Sequence, residues 1–91
     1  MKYMVSWTII PGTFQAAVDR FLKTGGMPPA GAKMLGRWHG LAERGFALVQ
    51  SKDPSAVYAW AAQWADVLEM KVTAVIEDRD AAKALRANRR K

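Results

Sequence analysis

Residues 33–51 read KMLGRWHGLAERGFALVQS. Two strand-like runs, 33–40 and 45–51, flank a short turn through Leu41, Ala42, Glu43 and Arg44. That spacing predicts a β-hairpin. Side chains alternate along a strand, so Leu35, Arg37 and His39 are expected on one face of the first run. Met34 and Trp38 are then expected on the other. The fold depends on what precedes and follows this hairpin.

Before it, residues 13–24 carry Phe14, Ala17, Val18, Phe21 and Leu22 at the spacing of one buried helical stripe. Thr13 is placed to act as N-cap. Gly25-Gly26 supplies a C-terminal stop. The loop 25–32, GGMPPAGA, is stiffened by two prolines and hinged by its glycines. It could serve as a lid over a pocket, although a plain connector is the simpler reading. Residues 2–10, KYMVSWTII, read as a strand ended by Pro11-Gly12. After the hairpin, Asp53-Pro54 is a sharp helix start, with Asp as cap and Pro in the first turn. This helix is expected to reach about residue 66, burying Val57, Trp60, Ala61 and Trp64. Residues 69–77 read as a last strand with Met70, Val72, Ala74 and Ile76 on one face. Asp78 is placed to cap a final helix carrying Ala81, Ala82, Ala84 and Leu85.

The order β-α-β-β-α-β is the ferredoxin-like split βαβ motif, an α+β fold with an antiparallel sheet and here an extra C-terminal helix. Right-handed crossovers place both main helices on one sheet face. The first and third strands carry apolar residues on both faces, which a sheet with one wet face would not. A second copy of the chain is the expected cover. Size points the same way. A 91-residue domain buries only roughly 60% of its unfolded surface. With no cysteine, no disulfide can reinforce it. Residues 1–85 are read as the domain and 86–91 as a basic tail.

The net charge is +6. Four of those charges (Arg86, Arg89, Arg90, Lys91) sit in the tail, which leaves +2 for residues 1–85. Nucleic-acid binders carry a basic stripe across the fold, so this distribution disfavours nucleic acid as a partner. The first residues lack the apolar core and cleavage site of a signal peptide, and no apolar run is long enough to span a membrane. A cytoplasmic location is expected.

Three strings carry a resemblance: Val5-Ser6-Trp7-Thr8, Leu35-Gly36-Arg37-Trp38-His39 and Trp60-Ala61-Ala62-Gln63-Trp64. With them the chain resembles a small bacterial family known only as a domain of unknown function, and more widely the dimeric α+β barrel superfamily. The wider resemblance implies two ferredoxin-like units with their sheets pressed together and a pocket between sheet and helices. That superfamily includes antibiotic-biosynthesis and haem-degrading monooxygenases, muconolactone-type isomerases and small-molecule-sensing domains. Haem-degrading members use a Trp, a His and an Asn together. Here the first strand has no Asn, and the only histidine, His39, lies on a strand rather than a helix.

His39 is the one side chain that naturally titrates near neutrality, and it is the candidate catalytic acid or base. Arg37 shares its face, and a guanidinium fork suits a carboxylate. Trp7, Trp38, Trp60 and Trp64 are candidate walls of an apolar pocket, with core packing the competing explanation. No metal-ligand spacing, nucleophile elbow or phosphate-binding loop is present, and no cofactor is expected. Three readings stay open. The first is a homodimeric small-molecule-binding, possibly sensing, domain for a small apolar or aromatic acid. The second is a cofactor-independent monooxygenase or isomerase acting on an aromatic substrate. The third is a structural dimerisation module.

Overall fold

The structure, a computed structural model, describes residues 1–89, so Arg90 and Lys91 of the basic tail lie outside the described residues. The elements in chain order are β1 (Lys2–Ile9), α1 (Phe14–Thr24), β2 (Ala32–His39), β3 (Arg44–Ser51), α2 (Pro54–Trp64), β4 (Leu68–Val75) and α3 (Asp78–Arg89). The strands form one antiparallel sheet in the order β2-β3-β1-β4. This is the ferredoxin-like arrangement with an added C-terminal helix.

The core lies between one sheet face and the helices. Tyr3 and Val5 of β1 and Ala47 and Val49 of β3 meet Ala17 of α1 and Val57, Trp60 and Trp64 of α2. Register brings these strand residues together: Tyr3 lies opposite Val49 and Ala74, and Val5 opposite Ala47 and Val72. Ala61, expected in the buried stripe of α2, is only half-buried, and Ala56 is buried beside Val57 instead.

The helix boundaries follow local chemistry. Asp53 Oδ1 accepts the Ser55 N–H at 3.0 Å, and Pro54 opens the first turn of α2. Gly25 ends α1 in the left-handed region at φ 78°, its N–H donating to Phe21 O at 2.8 Å. Thr13 departs from expectation. Its carbonyl accepts the Ala17 N–H, but its hydroxyl caps no helical N–H. The hydroxyl points back to Ile10 O at 2.7 Å and Val67 O at 3.1 Å, tying the end of β1 to the start of β4. Those two carbonyls compete successfully for the one hydroxyl hydrogen. At α3, the Ala81 N–H donates to Glu77 O at 3.0 Å, so Glu77 rather than Asp78 holds the cap position.

The second correction concerns β2. Met34 pairs with Val49 but Gly36 pairs with Leu48, so Leu35 is an extra residue in a β-bulge. The bulge cancels the alternation across it. Met34 packs against the core from the same side as Arg37 and His39, and Leu35 is left exposed. Trp38 keeps its expected face, the one with no helix on it, opposite Phe46. Met4, Leu35, Trp38 and Phe46 are all exposed there.

α3 contains no buried residue. The long axis of the molecule is 53 Å against 27 and 18 Å for the others. The radius of gyration is 15.6 Å, where a compact chain of this length would have roughly 12 Å. Helix α3 therefore stands off the body. The expected boundary at residue 85 falls inside it. Among the described residues, no helix is long and apolar enough to cross a membrane.

One ion pair locks α1 to the α2–β4 connection. Arg20 donates from both terminal nitrogens to Asp66, at 2.9 and 2.6 Å, and from Nη1 to Gln63 O at 2.9 Å. Its guanidinium also lies 5.2 Å from the Trp64 ring centre. The hydrogen bonds from Arg20 hold the Asp66 carboxyl below its ordinary pKa. A carboxylate with a lowered folded-state pKa contributes stability above its unfolded value of about 3.9 and loses it as pH falls through the lowered value. Asp66→Asn is therefore expected to lower the urea midpoint at neutral pH. The gap to wild type should close in acid below the ordinary carboxylate range. A gap that stayed constant down to the lowest pH at which the protein is folded would show that the ion pair contributes nothing.

Candidate functional site

The sheet and the two main helices do not close completely. Between them lies a cavity of about 230 Å³. Trp7, Phe21, Arg37, His39, Trp60 and Trp64 are among the residues that line it. Gly40, Ala42 and Arg44, from the β2–β3 turn and the start of β3, contribute to its rim.

Alternation in β1 aims Trp7 at the helix side. Gly45 lies opposite it on β3, and a Cβ at Gly45 would fall inside the Trp7 ring. The glycine thus lets the indole lie flat on the sheet as the cavity floor. Trp60 and Trp64, one helical turn apart on α2, are buried deep in the same wall. Among the described residues the buried Trp60 indole nitrogen has no hydrogen-bond partner, and such an orphan costs about 1–3 kcal/mol.

Arg37 reaches the cavity because it lies past the bulge. Its Nη1 donates to Gly26 O at 2.8 Å and its Nη2 to Gly25 O at 2.9 Å. Arg37 thereby satisfies carbonyls at the end of α1 that the helix cannot. The guanidinium also sits 4.8 Å from the Phe21 ring centre. Partial burial lowers its pKa from the ordinary arginine value, though an arginine stays charged at any physiological pH. Two of its five N–H groups are spent on these carbonyls, which leaves charge and donors to spare. No ion pair to Arg37 exists among the described residues, and no Asp or Glu lines the cavity.

His39 is exposed at the mouth. It stands edge-on to Phe21, with ring centres 5.2 Å apart at 64°, and to Trp7, 6.3 Å apart at 75°. Among the described residues it has no hydrogen-bond partner, whereas a general base is ordinarily oriented by a third group. The structure thus brings together Trp7, Arg37, His39, Trp60 and Trp64. It leaves Trp38 apart, on the opposite sheet face and 60% exposed. Phe14, Phe21 and Arg44 also line the cavity and had no signal of their own in the sequence. Phe14 and Phe21 belong to an apolar helical stripe that reads as ordinary core.

No curated protein and no solved structure matched this chain. The family model described as Domain of unknown function (DUF3303) matches residues 1–89, essentially the whole domain with its third helix, and the chain belongs to that family.

Proposed function

We propose that this chain is a homodimeric small-molecule-binding domain whose ligand is a small apolar or aromatic acid. The observation that carries the reading is the Arg37 guanidinium in the wall of a tryptophan-lined cavity that also carries His39 and Arg44 but no Asp or Glu. A partly buried cation without a counter-ion is costly, and an entering carboxylate supplies the missing charge. The indole rings suit a flat apolar body. At the roughly 30 Å³ filled by one water, the cavity holds on the order of ten non-hydrogen atoms. A catalytic reading has less support, since among the described residues no hydrogen bond orients the His39 ring, which is held only by edge-on contacts with Trp7 and Phe21. The exposed apolar centre of the bare sheet face supports the dimer.

Phenylacetate and its neutral amide are suitable probes, read by the change in tryptophan fluorescence. Phenylacetate is expected to bind saturably and the amide about tenfold more weakly or worse, the usual loss for a charge-assisted hydrogen bond. Arg37→Leu, with its fold checked by circular dichroism, should remove the preference for the acid. Equal binding of the two probes, or no saturable binding of either, would overturn the acid reading.

A further inference from the structure

We infer that the cavity takes an aromatic diacid, one carboxylate held by Arg37 in the wall and the other by His39 at the mouth. The inference rests on the acid-binding reading above and narrows the class of its ligand.

Strand geometry sets the two groups side by side. Arg37 and His39 are two residues apart on β2, past the bulge, and lie opposite Ala47 and Gly45 of β3. Both therefore face the helices, with Cα atoms about 7 Å apart by the rise of a strand. Both also meet α1 at one ring. The Arg37 guanidinium carbon lies 4.8 Å from the Phe21 ring centre, and the His39 ring centre 5.2 Å from it. The two head groups thus stand no further apart than the sum of those distances, along one edge of the cavity.

The charge of the lining calls for two anionic groups rather than one. Its ionisable side chains are Arg37, His39 and Arg44, with no Asp or Glu among them. Arg44 touches the rim, but it precedes Gly45, so alternation starts its side chain toward the bare sheet face. That leaves Arg37 and His39 as the pair on the cavity side. A carboxylate on Arg37 alone leaves His39 without an acceptor among the described residues. The ring contacts of His39 are edge-on with Trp7 and Phe21, and an imidazole, neutral or charged, keeps at least one N–H to donate.

Shape supplies the spacer between the two anions. The Trp7 indole lies over Gly45, beside His39, as a flat floor, and Phe21 stands at the edge that Arg37 and His39 share. These rings favour an aromatic body. A volume that holds on the order of ten non-hydrogen atoms is the size of one benzene ring with two carboxylates. A rigid ring also keeps its two carboxylates from gathering on Arg37 together.

Calorimetric titration of the full chain with three ring acids tests this. Terephthalate is expected to bind about tenfold more tightly than para-toluate, which carries one carboxylate opposite a methyl group. That is the increment of a charge-assisted hydrogen bond, reduced by exposure at the mouth. Phthalate, whose carboxylates are adjacent, should fall back to the level of para-toluate. His39→Phe keeps a ring against Trp7 and Phe21 and should erase the preference for terephthalate. His39→Gln keeps an N–H donor and should retain part of it. Para-toluate binding as tightly as terephthalate would overturn the two-point grip and leave the acid-binding reading standing. So would a preference untouched by His39→Phe or shared equally by phthalate, or binding of phenylacetate with none of the three ring acids bound. Should His39→Phe fail to fold, the comparison of the three acids on the wild-type protein still decides. A wild-type protein that binds neither these acids nor phenylacetate would remove both readings together.

Discussion

Trp60→Ala is expected to remove most of the protein's folding stability at 25 °C. Trp60 is 3% exposed and sits in the core cluster between α2 and the sheet. It also lines the cavity, so the space left by truncation would merge with a void that already exists. Little can collapse to fill it, and large-to-small changes of this type cost about 3–5 kcal/mol. Total stability of a small domain is about 5–15 kcal/mol, with chains of this length near the bottom of that range. Trp60→Phe makes the contrast. It keeps a ring in the wall and deletes the unpartnered indole N–H, whose burial costs about 1–3 kcal/mol. Urea titrations followed by far-ultraviolet circular dichroism should therefore show a large loss for alanine and a small one for phenylalanine. Equal losses would mean that the ring's packing contributes nothing particular to this core.

Trp38→Glu is expected to dissociate the proposed dimer without unfolding the chain. Trp38 is 60% exposed and outside the core cluster; its ring lies back across Gly36 on the bare sheet face, opposite Phe46. Trp38 lies on the edge strand β2, and losing a large aromatic anchor from an interface costs about 2–4 kcal/mol. Two-fold symmetry doubles the loss, so the dissociation constant should rise by roughly 10³-fold or more. Burying two like charges would add to this. Native mass spectrometry and sedimentation read the outcome directly. A dimer indifferent to Trp38→Glu would place its contact elsewhere on the molecule. The same spectra would carry any small molecule retained through purification, which bears on the cavity independently of the dimer.

The two variants separate two roles that tryptophans share in the sequence. By residue type alone Trp7, Trp38, Trp60 and Trp64 are equally fit to line a pocket. Helical spacing is enough to place Trp60 and Trp64, because both fall on the buried stripe that also carries Val57. Trp7 was placed by strand alternation with Tyr3 and Val5. Trp38 was legible as lying opposite Arg37 and His39, but whether that face was bare or covered depended on where the helices pack.

Local chemistry determined the elements, their order and most of their ends. Asp53-Pro54 and Gly25 act within one turn of backbone, so the sequence is enough to place them. The faces of β1, β3 and β4 follow from alternation for the same reason. What only the tertiary structure decided was every feature requiring two distant segments. The bulge at Leu35 arises from the pairing of β2 with β3, where one strand holds a residue more than its partner can match. It moved Met34 to the side of Arg37 and His39 against the period of two. The Thr13 hydroxyl was drawn off its helix by Val67 O, 54 residues away. Arg37 found the end of α1 across 11 residues, and Arg20 found Asp66 across 46. Periodicity and capping record short-range sterics and hydrogen bonding, which the chain carries with it before it folds. The cavity, the place of Arg37 in its wall and the stand-off of α3 come from packing whole elements together, and no single stretch of residues contains that information.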